Sequence, residues 1–155
     1  IPAWQYHLQQ MVLEEDPIKY LEKFFMTDKE YEKQKKRVRR LTRKWVKPLG
    51  LNWWRIDIEY CIEEKTAASY TYKPPSVKGK WICLFDVSVD YYYKTAVVNC
   101  YLPSIVDVKD DDLEEYYLHE LMHIFLSPMK TPKTEKEEEL VATSLARAFI
   151  WSQRK

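Results

Sequence analysis

The chain has 155 residues, 46% of them hydrophobic and 15% aromatic, enough apolar material for one packed domain with an N-terminal helical segment. Its 25 Lys and Arg stand against 24 Asp and Glu, so bulk charge selects neither a polyanionic nor a polycationic partner. No apolar run is long enough to span a membrane, and no signal-peptide pattern is present.

The charge is unevenly spread: residues 29–47 are basic, while 107–120 and 135–139 are acidic. Cys61, Cys83 and Cys100 are odd in number and lack paired metal-knuckle spacing, which reads as three reduced thiols in an intracellular, cytoplasmic protein. The first residue is Ile1 rather than Met, an expectation of a segment upstream.

Residues 1–11 show no clear period, and His7 is read as a surface residue near a terminus. Asp16-Pro17 has the form of a helix start, followed by the apolar residues Ile18, Leu21, Phe24 and Phe25. Thr27 or Asp28 is expected to cap a second helix, over about 30–46, with Tyr31, Val38, Leu41, Trp45 and Val46 docking one side. Its Lys and Arg residues offer a nucleic-acid or acidic-substrate surface, against the alternative of a solvated face that answers the acidic segments elsewhere. Pro48-Leu49-Gly50 ends the helix, with Gly50 suited to a left-handed conformation. Residues 1–50 therefore form an N-terminal helical segment, and 51–155 the main domain.

Residues 53–62 alternate, Trp54, Ile56, Ile58 and Tyr60 against Arg55, Asp57 and Glu59, as in a half-buried strand. A polar excursion over 63–80 follows, with Pro74-Pro75 and Gly79. Two more strands are expected over 81–89 and 95–102, joined as a hairpin near Tyr91, Tyr92, Tyr93 and Lys94. The second is expected to be an edge strand beside a cleft, able to accept an extended peptide. Asp111 and Glu114 have capping-box spacing at the start of the next helix.

That helix carries His119-Glu120-Leu121-Met122-His123, an H-E-x-x-H sequence. One turn separates the histidines, so both imidazoles leave the helix on one side, where two neutral rings can hold one Zn²⁺. Glu120 beside them is the candidate general base. Leu113, Tyr117, Leu121, Ile124 and Phe125 form an apolar stripe, and His119, His123, Tyr116 and Glu120 flank it. The competing explanation is a helix with two surface histidines, but Met122 and Leu126 close the far edge of the stripe and leave little of the helix facing water.

A catalytic zinc site needs a third protein ligand. No histidine follows His123, so the candidates are Glu135, Glu137, Glu138 and Glu139 at the start of a last helix. That helix has Val141, Leu145, Ala148 and Phe149 on its apolar face, with Ala142 and Ala146 beside them.

The sequence resembles the gluzincin branch of zincin metallopeptidases, in particular the minimal phage and prophage type and the ImmA/IrrE-like peptidases. Their second helix carries Glu, two residues, Ala, then an apolar residue and Ala, matched here by Glu139-Leu140-Val141-Ala142-Thr143-Ser144-Leu145-Ala146. The resemblance selects Glu139 as third ligand, with Glu138 next, and covers about residues 95–149. Thr143 stands where those families often place Asn or Asp to orient a ligand. No Gly-x-x-His follows His123, which excludes the metzincin pattern, and SprT-like proteins need a third His that is absent.

The resemblance implies an α+β zincin fold: a small twisted, mostly antiparallel sheet beside the H-E-x-x-H helix, a second Glu-bearing helix, and N-terminal helices. It implies a zinc metallopeptidase acting on a peptide or protein substrate, with His119, His123 and Glu139 on Zn²⁺ and Glu120 as base. A non-catalytic zinc-binding module and a nucleic-acid-associated protein using the basic helix over 29–47 are the alternatives. Tyr91, Tyr92, Tyr93, Tyr101 and Tyr116 remain open as oxyanion donors.

Overall fold

The computed structural model describes residues 26–63, 65–66 and 82–154. The helix start expected at Asp16-Pro17, His7, Trp81 and most of the 63–80 excursion lie outside them. The chain divides between Lys33 and Gln34 into two units, within the first described helix.

Helix α1 (Asp28–Trp45) starts where Thr27 Oγ1 accepts the Glu30 backbone N–H at 3.2 Å, so Thr27 is the cap. From Gln34 onward it buries Gln34, Val38, Leu41 and Trp45, three- and four-residue steps that trace one face. Gly50, at φ 72°, closes the turn after the helix in the left-handed conformation expected of it.

Strand β1 (Arg55–Cys61) alternates as the sequence predicts: Arg55, Asp57 and Glu59 are exposed, and Ile56, Ile58 and Tyr60 are half-buried. β2 (Lys65–Thr66) and β3 (Ile82–Cys83) pair antiparallel. The strand expected over 81–89 is split: Leu84, 2% exposed, separates β3 from β4 (Phe85–Asp90). β5 (Thr95–Tyr101) follows through a turn in which Asp90 Oδ1 accepts the Tyr93 N–H and Lys94 takes φ 54°.

The main sheet has the order β1–β5–β4, with β1 parallel and β4 antiparallel to β5. It is mixed rather than mostly antiparallel, because β1 reaches β5 by a long crossover instead of a hairpin. β5 is thus the central strand and not the expected edge; Ala96, Val98 and Cys100 on it are essentially unexposed. The strand at the cleft side is β4.

Pro103 lies in a four-residue helix, α2 (Leu102–Ile105), directly after β5. Helix α3 (Asp110–Leu126) is buried nearly all round, from Leu113 through Tyr117, Leu118, Leu121, Met122 and Ile124; Phe125 alone of the expected stripe is exposed. The Asp111–Glu114 capping box does not form. The cap position is Lys109, without a side-chain cap, and Glu114 turns inward to accept the Trp45 Nε1–H at 2.7 Å and Lys44 at 2.5 Å. Burying the Trp45 indole outranks a local cap, since its N–H needs a partner.

A 3₁₀ turn (Ser127–Met129) and a short loop lead to α4 (Glu135–Gln153), which packs on α3. Its buried seam is Ala142, Ala146 and Ile150. The expected face is rotated toward solvent, with Val141 and Phe149 exposed and Leu145 half-buried. Small residues at the seam let the two helix axes approach closely, which larger side chains would prevent.

Candidate metal centre

Two helices supply the site. From α3, His119 and His123 present Nε2 atoms 3.0 Å apart. From α4, Glu139 places Oε2 2.9 Å from His119 Nε2 and Oε1 3.1 Å from His123 Nε2. Ligand atoms of the three side chains lie within 4.8 Å of one another. For bonds of about 2.0–2.1 Å, two corners of a tetrahedral zinc site lie about 3.3–3.4 Å apart. The two imidazole nitrogens stand 3.0 Å apart, near that spacing, and the Glu139 carboxylate bridges them with one oxygen facing each ring. The donor set, two imidazoles and one carboxylate, is one that suits zinc.

The far nitrogens of both rings are also held. Glu138 Oε1 accepts the His123 Nδ1–H at 2.7 Å, and Thr143 Oγ1 lies 3.1 Å from His119 Nδ1. A carboxylate or hydroxyl on Nδ1 fixes the ring and leaves Nε2 free for a metal. Glu138, the second choice as a ligand, therefore occupies the back of His123. Its other oxygen, Oε2, is buried without a hydrogen-bond partner.

The charges respond to this packing. Burial opposes protonation of His123, but hydrogen bonds to Glu139 and Glu138 and the charge of Glu120 outweigh it, so its pKa rises to about 9. Hydrogen bonds from His119 and His123 hold Glu139 well below the usual carboxylate range. A metal entering here displaces a proton from His123. Glu120 is pushed up to about 8, chiefly by burial, with Glu139 and Asp86 adding and His123 and Lys130 opposing.

The site opens on a cleft of about 1110 Å³. One wall is β4, Phe85 to Val89; the other sides come from α3, the 127–136 segment and the start of α4. His119, Glu120, His123, Glu138, Glu139 and Thr143 all line it. Of the five tyrosines, only Tyr116 does so. Tyr101 donates instead to Asp86 Oδ2 at 2.7 Å, which also keeps Asp86 in place with the Asn99 amide on Oδ1.

All four site residues expected from sequence, His119, Glu120, His123 and Glu139, thus line one cleft. Three residues came without that expectation. Asp86 and Lys130 act on Glu120 from outside its helix, and no local pattern marks either. Glu138 was in view, but only the register of α4 on α3 assigns it to the back of the ring. The basic segment meets the acidic one: Arg37 and Arg40 pair with Asp110, and Lys44 with Glu114. Comparisons with protein-family models, curated proteins and solved structures find no match. No helix among the described residues is long and apolar enough to cross a membrane.

Proposed function

We propose that this chain is a zinc-dependent metallopeptidase of the gluzincin type, hydrolysing peptide bonds in a peptide or protein substrate. The observation that supports it best is the double anchoring of the histidines. His119 and His123 direct Nε2 atoms at Glu139, while Thr143 and Glu138 hold the opposite nitrogens. Bound there, Zn²⁺ would supply Lewis acidity and water that ionises near pH 7. Glu120, half-buried in the same cleft, takes the proton of the attacking water and returns it to the departing amine.

The substrate lies extended along β4. Among the described residues no strand pairs with the outer edge of β4, and its Phe85 to Val89 stretch walls the cleft. Main-chain hydrogen bonds to such an edge hold a peptide without reading its side chains. Of the five tyrosines Tyr116 lines this cleft, which makes it the candidate donor to the oxyanion that forms as the carbonyl is attacked.

The test is Glu120→Gln in zinc-loaded protein. Cleavage of a randomised peptide library should fall by about 10²–10⁴-fold while bound zinc stays unchanged. Cleavage at the wild-type rate would remove Glu120 from the chemistry and sink the mechanism.

A further inference from the structure

The charged groups lining the cleft divide into those already matched and those not. Glu139 and Glu138 face the histidines, Asp86 accepts from Asn99 and Tyr101, and Glu115 pairs with Arg147 at 2.6 Å. Lys130, Lys133 and Lys136 also line the cleft, and all three are exposed. Among the described residues their side chains make no hydrogen bond or ion pair. Within the 127–136 segment the lining carboxylate is Glu135, which sits in the first turn of α4, where the helix dipole stabilises it. On the 127–136 side of the cleft the rim is therefore three positive charges against one negative, while Asp86, Glu115 and Glu120 belong to β4 and α3.

Lys130 and Lys133 are carried on a pinned turn, and Lys136 on the first turn of α4 that follows it. Thr134 Oγ1 accepts the Thr131 N–H at 2.9 Å and shares its own proton between the carbonyls of Met129 and Thr131, both at 3.2 Å. The Thr134 N–H returns to Thr131 O at 3.0 Å, and Lys130 N–H to Ser127 O at 3.2 Å. The backbone that carries the lysines is fixed in this way, so binding has only their side chains to order. Lys130 also lies near enough to Glu120 for its charge to act on that carboxylate.

We infer that this rim selects acidic substrates: Lys130, Lys133 and Lys136 receive Asp or Glu side chains that flank the scissile bond of a bound polypeptide. The inference rests on the peptidase reading and narrows it. Main-chain pairing to β4 accepts any sequence, whereas an unmatched row of ammonium groups rewards carboxylates and repels Lys and Arg.

The test uses two fluorescent ten-residue peptides, identical except that three Asp in one are Lys in the other. Binding is followed by anisotropy on the zinc-loaded Glu120→Gln chain, which holds substrate without turning it over. The Asp peptide should bind about tenfold more tightly at low ionic strength, with the gap closing as salt rises. The triple variant Lys130→Glu, Lys133→Glu, Lys136→Glu should reverse the order while its zinc content and circular dichroism remain those of the parent. Equal binding of the two peptides overturns the inference, as does a gap that survives the triple reversal. The randomised-library assay on the active chain separates the two readings. Cleavage without enrichment of acidic residues overturns the rim's role and leaves the peptidase standing. Charge-selective binding with no cleavage of any peptide overturns the peptidase and leaves an anion-selective cleft.

Discussion

Helix α3 carries ionisable clusters at both ends, and they are answered differently. At its N-terminal end Asp110 meets Arg37 at 2.9 Å and Glu114 meets Lys44 and Trp45 Nε1. Guanidinium, ammonium and indole N–H are donors with no lone pair to offer a metal, so these contacts only dock the helix. At the other end His119, Glu120 and His123 meet Glu138, Glu139 and Thr143. There the partners of the carboxylates are imidazoles, which exchange a proton for a metal. One end docks the helix and the other is free to do chemistry. A cluster of charges on a helix acquires a role only from what faces it.

The comparison breaks most visibly if a metal ligand is removed. His123→Ala and Glu139→Ala should each take zinc from one per chain to a small fraction of that, read by elemental analysis of protein purified without added metal. Zinc retained in Glu139→Ala would assign the third position to another group. A smaller effect is expected behind the ring. Glu138→Gln keeps the shape and can still bond His123 Nδ1, but it no longer offers a full negative charge. Zinc affinity should fall about 10–100-fold in a chelator competition, with the stoichiometry still one. An unchanged affinity would show that Glu138 does not support the ring.

The histidines and Glu120 were legible because their relation is local: one helical turn fixes it, whatever the rest of the chain does. The strand alternation over Arg55–Cys61 and the left-handed Gly50 were legible for the same reason. Reading α4 was harder. Its largest apolar residues, Val141 and Phe149, suggested the buried face, yet the seam is Ala142, Ala146 and Ile150. Close packing against α3 favours the small side, and that rotation aims Glu139 and Thr143 at His119 and sets Glu138 behind His123. Strand order was not local either: that β5 is central and β4 the cleft wall follows from a crossover joining distant segments. The basic run over 29–47 shows how composition overstates a surface. Its register against Asp110 and Glu114 decides which cations remain available.

That register gives the smallest effect and the sharpest control, because two arginines of one helix differ only in burial. The Arg37 side chain is 13% exposed and donates to Asp110, to Gln34 Oε1 at 2.7 Å, to Ile105 O at 2.9 Å and to Val108 O. It ties α1 to the end of α2 and to the approach to α3. Arg40, 67% exposed, reaches the same Asp110 at 3.6 Å. Arg37→Met removes the charged donor from Val108 O, and one of two donors from Ile105 O, in a partly buried place and should cost about 2–3 kcal/mol. In a chain of this size that lowers the melting temperature by roughly 5–10 °C. Arg40→Met loses only a screened surface pair and should stay within about 0.5 kcal/mol. Neither change should alter zinc affinity in the folded protein, since both act at the docking end of α3. Equal melting temperatures for the two variants would mean that the clamp contributes nothing. A loss of zinc affinity in Arg37→Met would mean that the two ends of the helix are coupled, and that the division between docking and chemistry is drawn in the wrong place.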